Sequence, residues 1–420
     1  MKPSISIPII VTLTFLLTPI LAFAQTLTVS RIANLRSMPD VKSELLEKLN
    51  INDELLLLST EKTNEYYHVS SLLSGQNGWV YSRLVRPTNK TILTGTILPA
   101  AGVVDIRVLD VGQGLATIIK LPGKKYVIYD AGSDANQRNG ERTLAQIAAH
   151  IEKGSEIELL VLSHTDADHI TAAATVILNY KVKKILWTGY ERGMVKPGEG
   201  PTIHYKALTR ALTQRPDTEN VNLNERDSII SPGNNFKIGE ATFTFLCGFN
   251  KPLPEWNLLE PSPMLNSVSI VMKLTYGGRS VLFCGDAVGK ANGETETPPI
   301  ATEKYLIENA AHLLASEVII PAHHGASNGS SIPFVKLVNP KSAIFAAGRG
   351  HSHPTKRTGE LFYNYTQGEV FRTDLGDDET KAPVKEWKYK SIKNHKDPYG
   401  DDDVHIQLFA SGVYRVFYVN

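Results

Sequence analysis

The segment Ser163-His164-Thr165-Asp166-Ala167-Asp168-His169 carries two imidazoles and two carboxylates within a single short stretch. It directly follows the β-branched and leucine-rich run from Ile157 to Leu162, which predicts a short buried strand. A turn after a buried strand holds its side chains rigidly at the carboxyl edge of a sheet, where α/β folds usually place their chemistry. Imidazole nitrogen and carboxylate oxygen are ligands of Zn²⁺ and Mn²⁺, so the segment predicts a loop that supplies ligands to two adjacent ions. The alternative is an ordinary polar surface loop.

The first residues predict export. Lys2 is followed by an apolar run from Ile5 to Phe23, which ends in the small-x-small signature Ala22-Phe23-Ala24. An uncleaved membrane anchor is the alternative, but the two prolines and the modest length of the run weigh against it. We therefore expect residues 1–24 to be a cleaved signal peptide. No transmembrane segment is expected after cleavage, and the mature protein is expected to be periplasmic or secreted.

Charge and cysteine content narrow the function. The chain has 44 basic and 43 acidic residues, and removal of the signal peptide with Lys2 leaves the two signs balanced. A balanced charge gives no indication of tight nucleic-acid binding, although it is compatible with a local basic patch. The two cysteines, Cys247 and Cys284, are too few for a disulfide framework. Both lie in apolar, strand-like runs, which favours buried free thiols over a single bridge.

Residues 25–87 predict a small all-β domain of short strands. Its marks are Asn34-Leu35-Arg36-Ser37-Met38-Pro39 near the start and the Asn-Gly turn of Asn77-Gly78-Trp79-Val80 near the end. This pattern resembles bacterial SH3-like domains, which have an N-x-R-x-x-P opening and a terminal Gly-Trp-Val. In that family the barrel often binds cell-wall peptides, so the resemblance implies peptidoglycan binding; a spacer domain is the alternative. Residues 88–101, with Pro and Gly, predict a linker.

Residues 102–420 predict a second domain of the α/β class. A helix is expected over Thr143–Glu152, a closing hairpin over Val404–Val419, and an exposed insertion over Lys385–Asp403. Several predicted strands end in polar or ligand-type residues. The motifs that follow strands are Asp110-Val111-Gly112-Gln113-Gly114, Asp130, Cys284-Gly285-Asp286, His323-His324-Gly325-Ala326-Ser327 and His353-Pro354. One further polar motif, Asn266-Ser267-Val268-Ser269, precedes a strand.

In their order along the chain, these motifs resemble the metallo-β-lactamase superfamily, and more narrowly the hydrolase domain of ComEC-type competence proteins. The shared marks are D-V-G-Q-G, S-H-x-D-x-D-H, a strand ending in G-D, H-H-G-x-S and a late H-P. The resemblance spans residues 103 to 420. It implies a four-layered αββα sandwich with two divalent metal ions, Zn or Mn, at one edge.

The resemblance also implies a ligand set, carried over position by position. His164 and Asp166 correspond to the first ion, and Asp168 and His169 to the second. Asp286 matches the carboxylate that bridges the ions, and chemistry supports this because two cations about 3.5–4 Å apart need a shared anion. One of the pair His323 and His324 closes the second site; we favour His323, with His324 supporting it.

Three further residues, and the ligand Asp168, are predicted to assist the reaction. Asp110 and Asp130 stand at strand ends, where they are expected to accept hydrogen bonds from ligand histidines. His353 is expected to contact substrate or to support the site, and Asp168 to orient the nucleophile.

The chain departs from the superfamily pattern at the first ion. Asp166 stands where most members have histidine, so this site is richer in oxygen, which shifts the preference somewhat toward Mn²⁺. The third histidine of other branches has no clear counterpart. His204 is the only histidine between His169 and Asp286.

The resemblance implies an exported dinuclear metal-dependent hydrolase in which a metal-bound hydroxide attacks the substrate. The branch points to phosphodiester cleavage of the nuclease type, although the chain has no basic excess to hold nucleic acid. One alternative is a metallo-hydrolase of a lactam, ester or cell-wall-derived substrate. A second is a non-catalytic cell-wall-binding or sensor protein, whose metal coordination would be filled by protein ligands.

Overall fold

The computed structural model describes residues 23–93, 102–133, 140–196, 198–291, 298–348, 353–373, 403–410 and 412–418. The chain divides into two compact units, Met1–Ala100 and Ala101–Asn420. Residues 1–22, which hold most of the expected signal peptide, and nearly all of the expected insertion at 385–403 lie outside the described residues. Within the described part of the chain, no helix has the length and apolar character needed to cross a membrane.

The first unit is one antiparallel sheet of seven strands in the order β3-β2-β6-β5-β4-β1-β7. Alternate side chains point inward and form a core that includes Leu27, Leu35, Leu55 and Val80. The all-β character expected for this unit is confirmed. The strands are β1 (Phe23–Val29), β2 (Ala33–Arg36), β3 (Leu45–Leu49), β4 (Glu54–Thr63), β5 (Tyr66–Ser71), β6 (Asn77–Tyr81) and β7 (Val85–Leu93).

The end of this sheet lies further along the chain than the sequence predicted. We expected a linker over 88–101, but residues 88–93 continue β7, where Thr91 pairs with Gln25 and Leu93 with Phe23. Backbone pairing with β1 outweighs the polar composition of this stretch, and its Thr and Ile residues favour a strand.

The second unit contains two mixed sheets and nine helices among the residues described. Its strands are β8 (Val103–Val108), β9 (Ala116–Leu121), β10 (Lys125–Ala131), β11 (Glu156–Leu162), β12 (Lys181–Val182), β13 (Lys184–Trp187), β14 (Glu219–Asn222), β15 (Asn235–Ile238), β16 (Ala241–Cys247), β17 (Val271–Tyr276), β18 (Arg279–Phe283), β19 (Val318–Ile320), β20 (Ser342–Phe345), β21 (Val370–Arg372), β22 (Val404–Phe409) and β23 (Tyr414–Tyr418).

Its helices are α1 (Glu141–His150), α2 (Ala167–Ile170), α3 (Ala173–Asn179), α4 (Arg192–Val195), α5 (Ile203–Gln214), α6 (Pro261–Ser267), α7 (Ala301–Leu314), α8 (Ile332–Val338) and α9 (Lys356–Tyr365). The first sheet has the order β14-β13-β11-β10-β9-β8-β22-β23, with β12 beside β11. The second has the order β15-β16-β17-β18-β19-β20-β21.

Three apolar clusters show how these elements stack. The first lies between the sheets and joins residues such as Ile106 and Tyr129 to Met272 and Phe283. The second packs the outer face of the first sheet against α1, α3 and α5. The third packs the second sheet against α7, α8 and α9. The order helices, sheet, sheet, helices confirms the expected αββα sandwich.

Both cysteines lie in the interior of the second unit. Cys247 and Cys284 are buried and free. Burial raises the pKa of both thiols above the ordinary value, so neither is a reactive thiolate.

Candidate metal centre

Parallel strands bring the predicted ligands to one edge of the sandwich. In the first sheet β10 and β11 are parallel neighbours, and in the second sheet β18 and β19 are. The carboxyl ends of parallel neighbours point to the same edge. Asp130 and the loop from Ser163 therefore meet on one sheet, and Asp286 meets the His323-His324 pair on the other.

The loop from Ser163 to His169 is seated firmly against the end of β10. Leu115 N donates a hydrogen bond to Asp168 O at 3.0 Å. Gly132 lies so close to this loop that a Cβ placed on it would be 1.5 Å from Asp168 O. The α2 helix begins at Ala167, so Asp168 and His169 occupy its first turn. The rings of His164 and His169 are fully buried, with centroids 4.2 Å apart.

Asp130 orients His169, as predicted for its position. The Nδ1 atom of His169 lies 2.8 Å from Asp130 Oδ2. Ser163 donates to the same carboxylate from its backbone N at 2.6 Å and from Oγ at 2.8 Å. Asp130 has a left-handed backbone, with φ 57°, a strained conformation of the kind that clusters at functional sites. The Nε2 atom of His169 is thereby directed toward the centre of the site.

Asp286 lies at the centre, with 2% of its surface exposed. Its Oδ1 is 3.0 Å from His169 Nε2 and 3.8 Å from His324 Nε2. Its Oδ2 is 3.8 Å from His164 Nε2 and 3.6 Å from His323 Nε2. Each oxygen of this one carboxylate thus faces two imidazoles, which is the arrangement that a ligand shared by two ions requires.

The structure places the two adjacent histidines differently from our expectation. His324, not His323, lies beside the ligands of the second site: its Nε2 is 3.2 Å from His169 Nε2 and 3.5 Å from Asp168 Oδ2. Its Nδ1 is held 2.7 Å from Ala346 O. Both histidines are left-handed, with φ 53° and 54°, and their ring centroids are 6.3 Å apart. This backbone directs the two rings to different places, which residue order alone does not indicate.

The contacts described for Asp110 are with α1 and with its own turn, and its contact with a ligand histidine stays a prediction. Its carboxylate accepts a hydrogen bond from Arg142 Nη2 at 2.8 Å and one from Gly112 N at 3.3 Å. Both contacts serve to fix the Asp110–Gly114 turn against α1. The residue lies at a strand end as expected, but on β8, whose neighbour in the sheet is antiparallel β9 rather than a ligand-bearing parallel strand.

His353 lies next to His323. Their ring centroids are 5.6 Å apart, in an edge-on arrangement. The residues that precede it in the Gly-Arg-Gly-His-Ser motif, 349–352, lie outside the described part of the chain. A contact between His353 and substrate stays a prediction.

Asn266 is a site residue that the sequence analysis noted but did not assign. With its amide nitrogen as donor, it lies 3.1 Å from Asp166 Oδ2 and 3.2 Å from Ser262 O. Asp166 Oδ2 is also 3.7 Å from His164 Nε2. Asn266 therefore positions Asp166 next to His164. The Asn-Ser-Val-Ser motif was visible in the sequence, and its place before a strand that borders Asp286 was the available signal.

Close packing of acids and imidazoles shifts their pKa values. Burial alone would raise the pKa of Asp286, but His169, His323, His324 and His164 hold it well below its usual value. Burial would lower the pKa of His169, yet Asp286 and Asp130 raise it well above the usual value. For Asp168, burial is likewise outweighed by His324 and His169, and its pKa is lowered. The lowered pKa values favour the ionised forms of Asp286 and Asp168, which are the forms that bind cations.

The donor set fits divalent metal ions. Among the described residues, ligand atoms lie within 4.8 Å of one another in two sets of three: His164, His169 and Asp286, and Asp168, His169 and His324. His204 belongs to neither set. The Nε2 atom of His164 is buried and has no hydrogen-bond partner in the described structure. A buried imidazole nitrogen left in this state is expected of a metal ligand, because burial without a partner is otherwise unfavourable.

Comparison with known families gives one match to a family model. The model described as the metallo-beta-lactamase superfamily matches residues 109–349, more than half of the chain. This range contains the Ser163–His169 loop, Asp286 and both His323 and His324.

Three known proteins illustrate the similarity. "ComE operon protein 3" of Bacillus subtilis is 24% identical over 294 residues, which cover 66% of this chain and 32% of that protein. "Competence protein ComA" of Neisseria gonorrhoeae is 24% identical over 278 residues, 64% of this chain and 31% of that protein. The match thus spans about a third of the length of each relative. The crystal structure of the metallo-beta-lactamase fold protein YhfI of Bacillus subtilis is 13% identical, with a TM-score of 0.37, and covers 64% of this chain and 96% of that one.

Proposed function

Because the chain belongs to the metallo-beta-lactamase superfamily, a group of metal-dependent hydrolases, we propose that it is an exported dinuclear phosphodiesterase of the nuclease type. The observation that carries the proposal is the position of Asp286, with one pair of imidazoles at each carboxylate oxygen. Two divalent ions bound there supply Lewis acidity and lower the pKa of a bound water toward neutrality.

The exposure of the site supports catalysis rather than a closed structural centre. His164, His169 and His324 are buried, whereas Asp166, Asp168 and His323 have 26%, 22% and 20% of their side chains exposed. Substrate and water therefore approach from the side of the two carboxylates. We assign Asp168 to orient the attacking water. His353, beside His323, is placed to contact the substrate on the same side.

A phosphodiester substrate is supported by the donor set and by the relatives. Three aspartates make the centre rich in oxygen, which suits Mn²⁺ as well as Zn²⁺. One relative is named a competence protein, and competence is the uptake of DNA. Because the chain has no excess of basic residues, we expect the metal ions to provide most of the attraction for a phosphate group.

Metal content and hydrolysis measured on the same sample test this proposal. We expect two ions per chain and chelator-sensitive hydrolysis of bis(p-nitrophenyl) phosphate that returns with Mn²⁺ or Zn²⁺, after which single-stranded and duplex DNA are tested. Asp286→Ala should abolish turnover while the circular dichroism spectrum is kept. Turnover of the Asp286→Ala protein at the wild-type rate would reject the scheme, and two ions without turnover would reject the substrate class.

We further propose that the first unit is a bacterial SH3-like domain that holds the protein at the cell wall. Its support is an aromatic face on β5 and β6, where Tyr66 pairs with Tyr81 and His68 stacks on Trp79 at 4.8 Å. Co-sedimentation with purified peptidoglycan tests it. Trp79→Ala should release the protein and Met38→Ala, at an exposed site of the same unit, should not. Equal sedimentation of all three proteins would reject this role.

A further inference from the structure

The first ion site lacks the third histidine found in other branches, and one residue of this chain is positioned to supply it. Asp286 Oδ2 faces two imidazole nitrogens, His164 Nε2 at 3.8 Å and His323 Nε2 at 3.6 Å. Donor atoms that share one ion at about 2.0–2.1 Å lie roughly 3.3–3.4 Å apart in a tetrahedral site. Both distances are a few tenths of an ångström longer than this value.

The four histidines around Asp286 share one pattern. In each, Nδ1 is held by an oxygen: His164 by Ser163 Oγ at 3.1 Å, His169 by Asp130, His324 by Ala346 O, and His323 by Asn328 Oδ1 at 2.7 Å. In each, Nε2 points to an oxygen of Asp286. An oxygen acceptor at Nδ1 places the proton there and leaves the Nε2 lone pair for a metal. His323 shares this arrangement, with the difference that the side-chain amide of Asn266 also lies 3.3 Å from its Nε2 atom and would have to yield to an ion.

The backbone fixes His323 relative to Asp286. His323 N donates to Gly285 O at 2.9 Å, and Asn328 O accepts from Gly289 N at 2.9 Å. The loop that carries His323 is thus bonded on both sides to the loop that carries Asp286. Asn328 is 3% exposed, so its side chain is a firm support rather than a surface group.

We propose that His323 is a ligand of the first ion, together with His164, Asp166 and Asp286, and that Asn328 is its positioning residue. The adjacent pair His323-His324 then supplies one ligand to each ion. This inference rests on the dinuclear centre of the proposed function, but it makes no use of the substrate.

Manganese titration of the metal-free full chain tests the assignment. Calorimetry gives the number and affinity of the ions, and electron paramagnetic resonance separates a coupled Mn²⁺ pair from a single Mn²⁺. For His323→Ala we expect one ion at wild-type affinity, at least about tenfold weaker binding of the other, and loss of the coupled signal. His312→Ala, at an exposed position on α7, is the control and should bind both ions as the wild type does.

Double variants identify the site. His164→Ala and His323→Ala should weaken the same ion, so that the pair of changes leaves the other ion at wild-type affinity. Asn328→Ala should weaken that ion, and Asn328→Asp, which keeps the acceptor, should restore it. Matching thermal unfolding of the metal-free variants and the wild type shows that the fold is retained.

The outcomes separate this inference from the proposed function. Two ions at wild-type affinity in His323→Ala would overturn the assignment, as would loss of the same ion in His323→Ala and His324→Ala. If the expected pattern is found without any phosphodiester hydrolysis, the ligand assignment stands and the substrate proposal fails. A wild-type chain that binds no Mn²⁺ overturns both.

Discussion

Asp130 shows how a residue that need not touch an ion controls the site. Its carboxylate fixes His169 through Nδ1 and Ser163 through N and Oγ. Asp130→Asn keeps the shape but presents an N–H to one of these donors. We expect metal affinity to fall about 10–100-fold, as measured by calorimetry. The control is Asp217→Asn, which removes a surface ion pair with Arg215 and should leave the metal affinity unchanged. If Asp130→Asn bound metal as tightly as this control, Asp130 would not have the positioning role.

Glu303 gives a prediction about pH. This side chain is fully buried at the start of α7, where it accepts a hydrogen bond from Ser331 N at 2.7 Å. Burial raises its pKa to about 7, although Ser331 and Lys290 act in the opposite direction. A raised carboxyl pKa stabilises the fold fully below the unfolded value of about 4.5, and this contribution is lost as the pH rises through about 7.

Glu303→Gln should remove that loss. Relative to the variant, we expect the wild type to lose about 2 kcal/mol of unfolding free energy between about pH 5 and about pH 8. Urea unfolding of both metal-free proteins across this range measures it, because the metal ligands titrate alike in the two. A constant difference between the two proteins would show that Glu303 does not titrate in this range.

At the residue scale, the sequence was informative where spacing decides geometry. The close spacing from His164 to His169 was enough to predict one loop with four donors. The choice between His323 and His324 depended on two left-handed backbone angles. The surroundings of Asp110 depended on the antiparallel neighbour of its strand. Neither property leaves a signal in residue type or order.

Among the elements, the turn that follows β10 tolerates the least change. Gly132 leaves no room for a Cβ beside Asp168 O. We expect Gly132→Ala to displace the Ser163–His169 loop and to destabilise the fold by about 2 kcal/mol or more, with loss of metal affinity. Urea unfolding and metal titration measure both effects. Gly200→Ala, with only Lys206 Nζ near its Cβ, is the control, and equal stability of the two variants would refute the tight fit.

The apolar run Ile157–Leu162 predicted β11 to within one residue, because buried strands need continuous apolar sequence. The β9 strand was missed, since Ala116–Leu121 contains Thr and Lys and directly follows a glycine-rich turn. Residues 88–93 were missed because the backbone pairing of β7 with β1 decides their structure, and local composition does not show this pairing.

At the scale of the whole molecule, Tyr129 joins the two sheets. It lies on β10 and its hydroxyl donates to Ile270 O, next to β17, at 2.6 Å. Tyr129→Phe should lower the unfolding free energy by about 1–2 kcal/mol, because Ile270 O is left without this donor. Tyr126→Phe, whose hydroxyl has no hydrogen bond in the described structure, should cost much less in the same urea titration. Equal losses of unfolding free energy in the two variants would show that the hydrogen bond of Tyr129 does not stabilise the fold.

Removal of metal should act on the second unit as a whole. The ligands come from both sheets, so bound ions stabilise their packing by mass action, by about 2.7 kcal/mol at a hundredfold excess over the Kd. We expect chelation to lower the unfolding temperature of the wild type and to leave that of Asp286→Ala nearly unchanged. A wild-type transition that does not respond to chelator would show that the centre does not span the sheets.

The overall αββα architecture was implied by the resemblance of the ordered strand-end motifs to the metallo-β-lactamase superfamily. The packing between the sheets did not follow. Contacts such as that of Tyr129 with Ile270 join residues far apart in the chain, and no local pattern specifies them.

The split of the centre between two distant parts of the chain has a consequence for how the protein acquires its metal. Residues 163–169 and 285–324 supply the donors, and they meet only when both sheets have formed and packed. A complete donor set is therefore available only in the folded second unit, so metal binding is coupled to folding. Since Zn²⁺ and Mn²⁺ both suit these donors, the metal that is available while the chain folds contributes to the choice of ion.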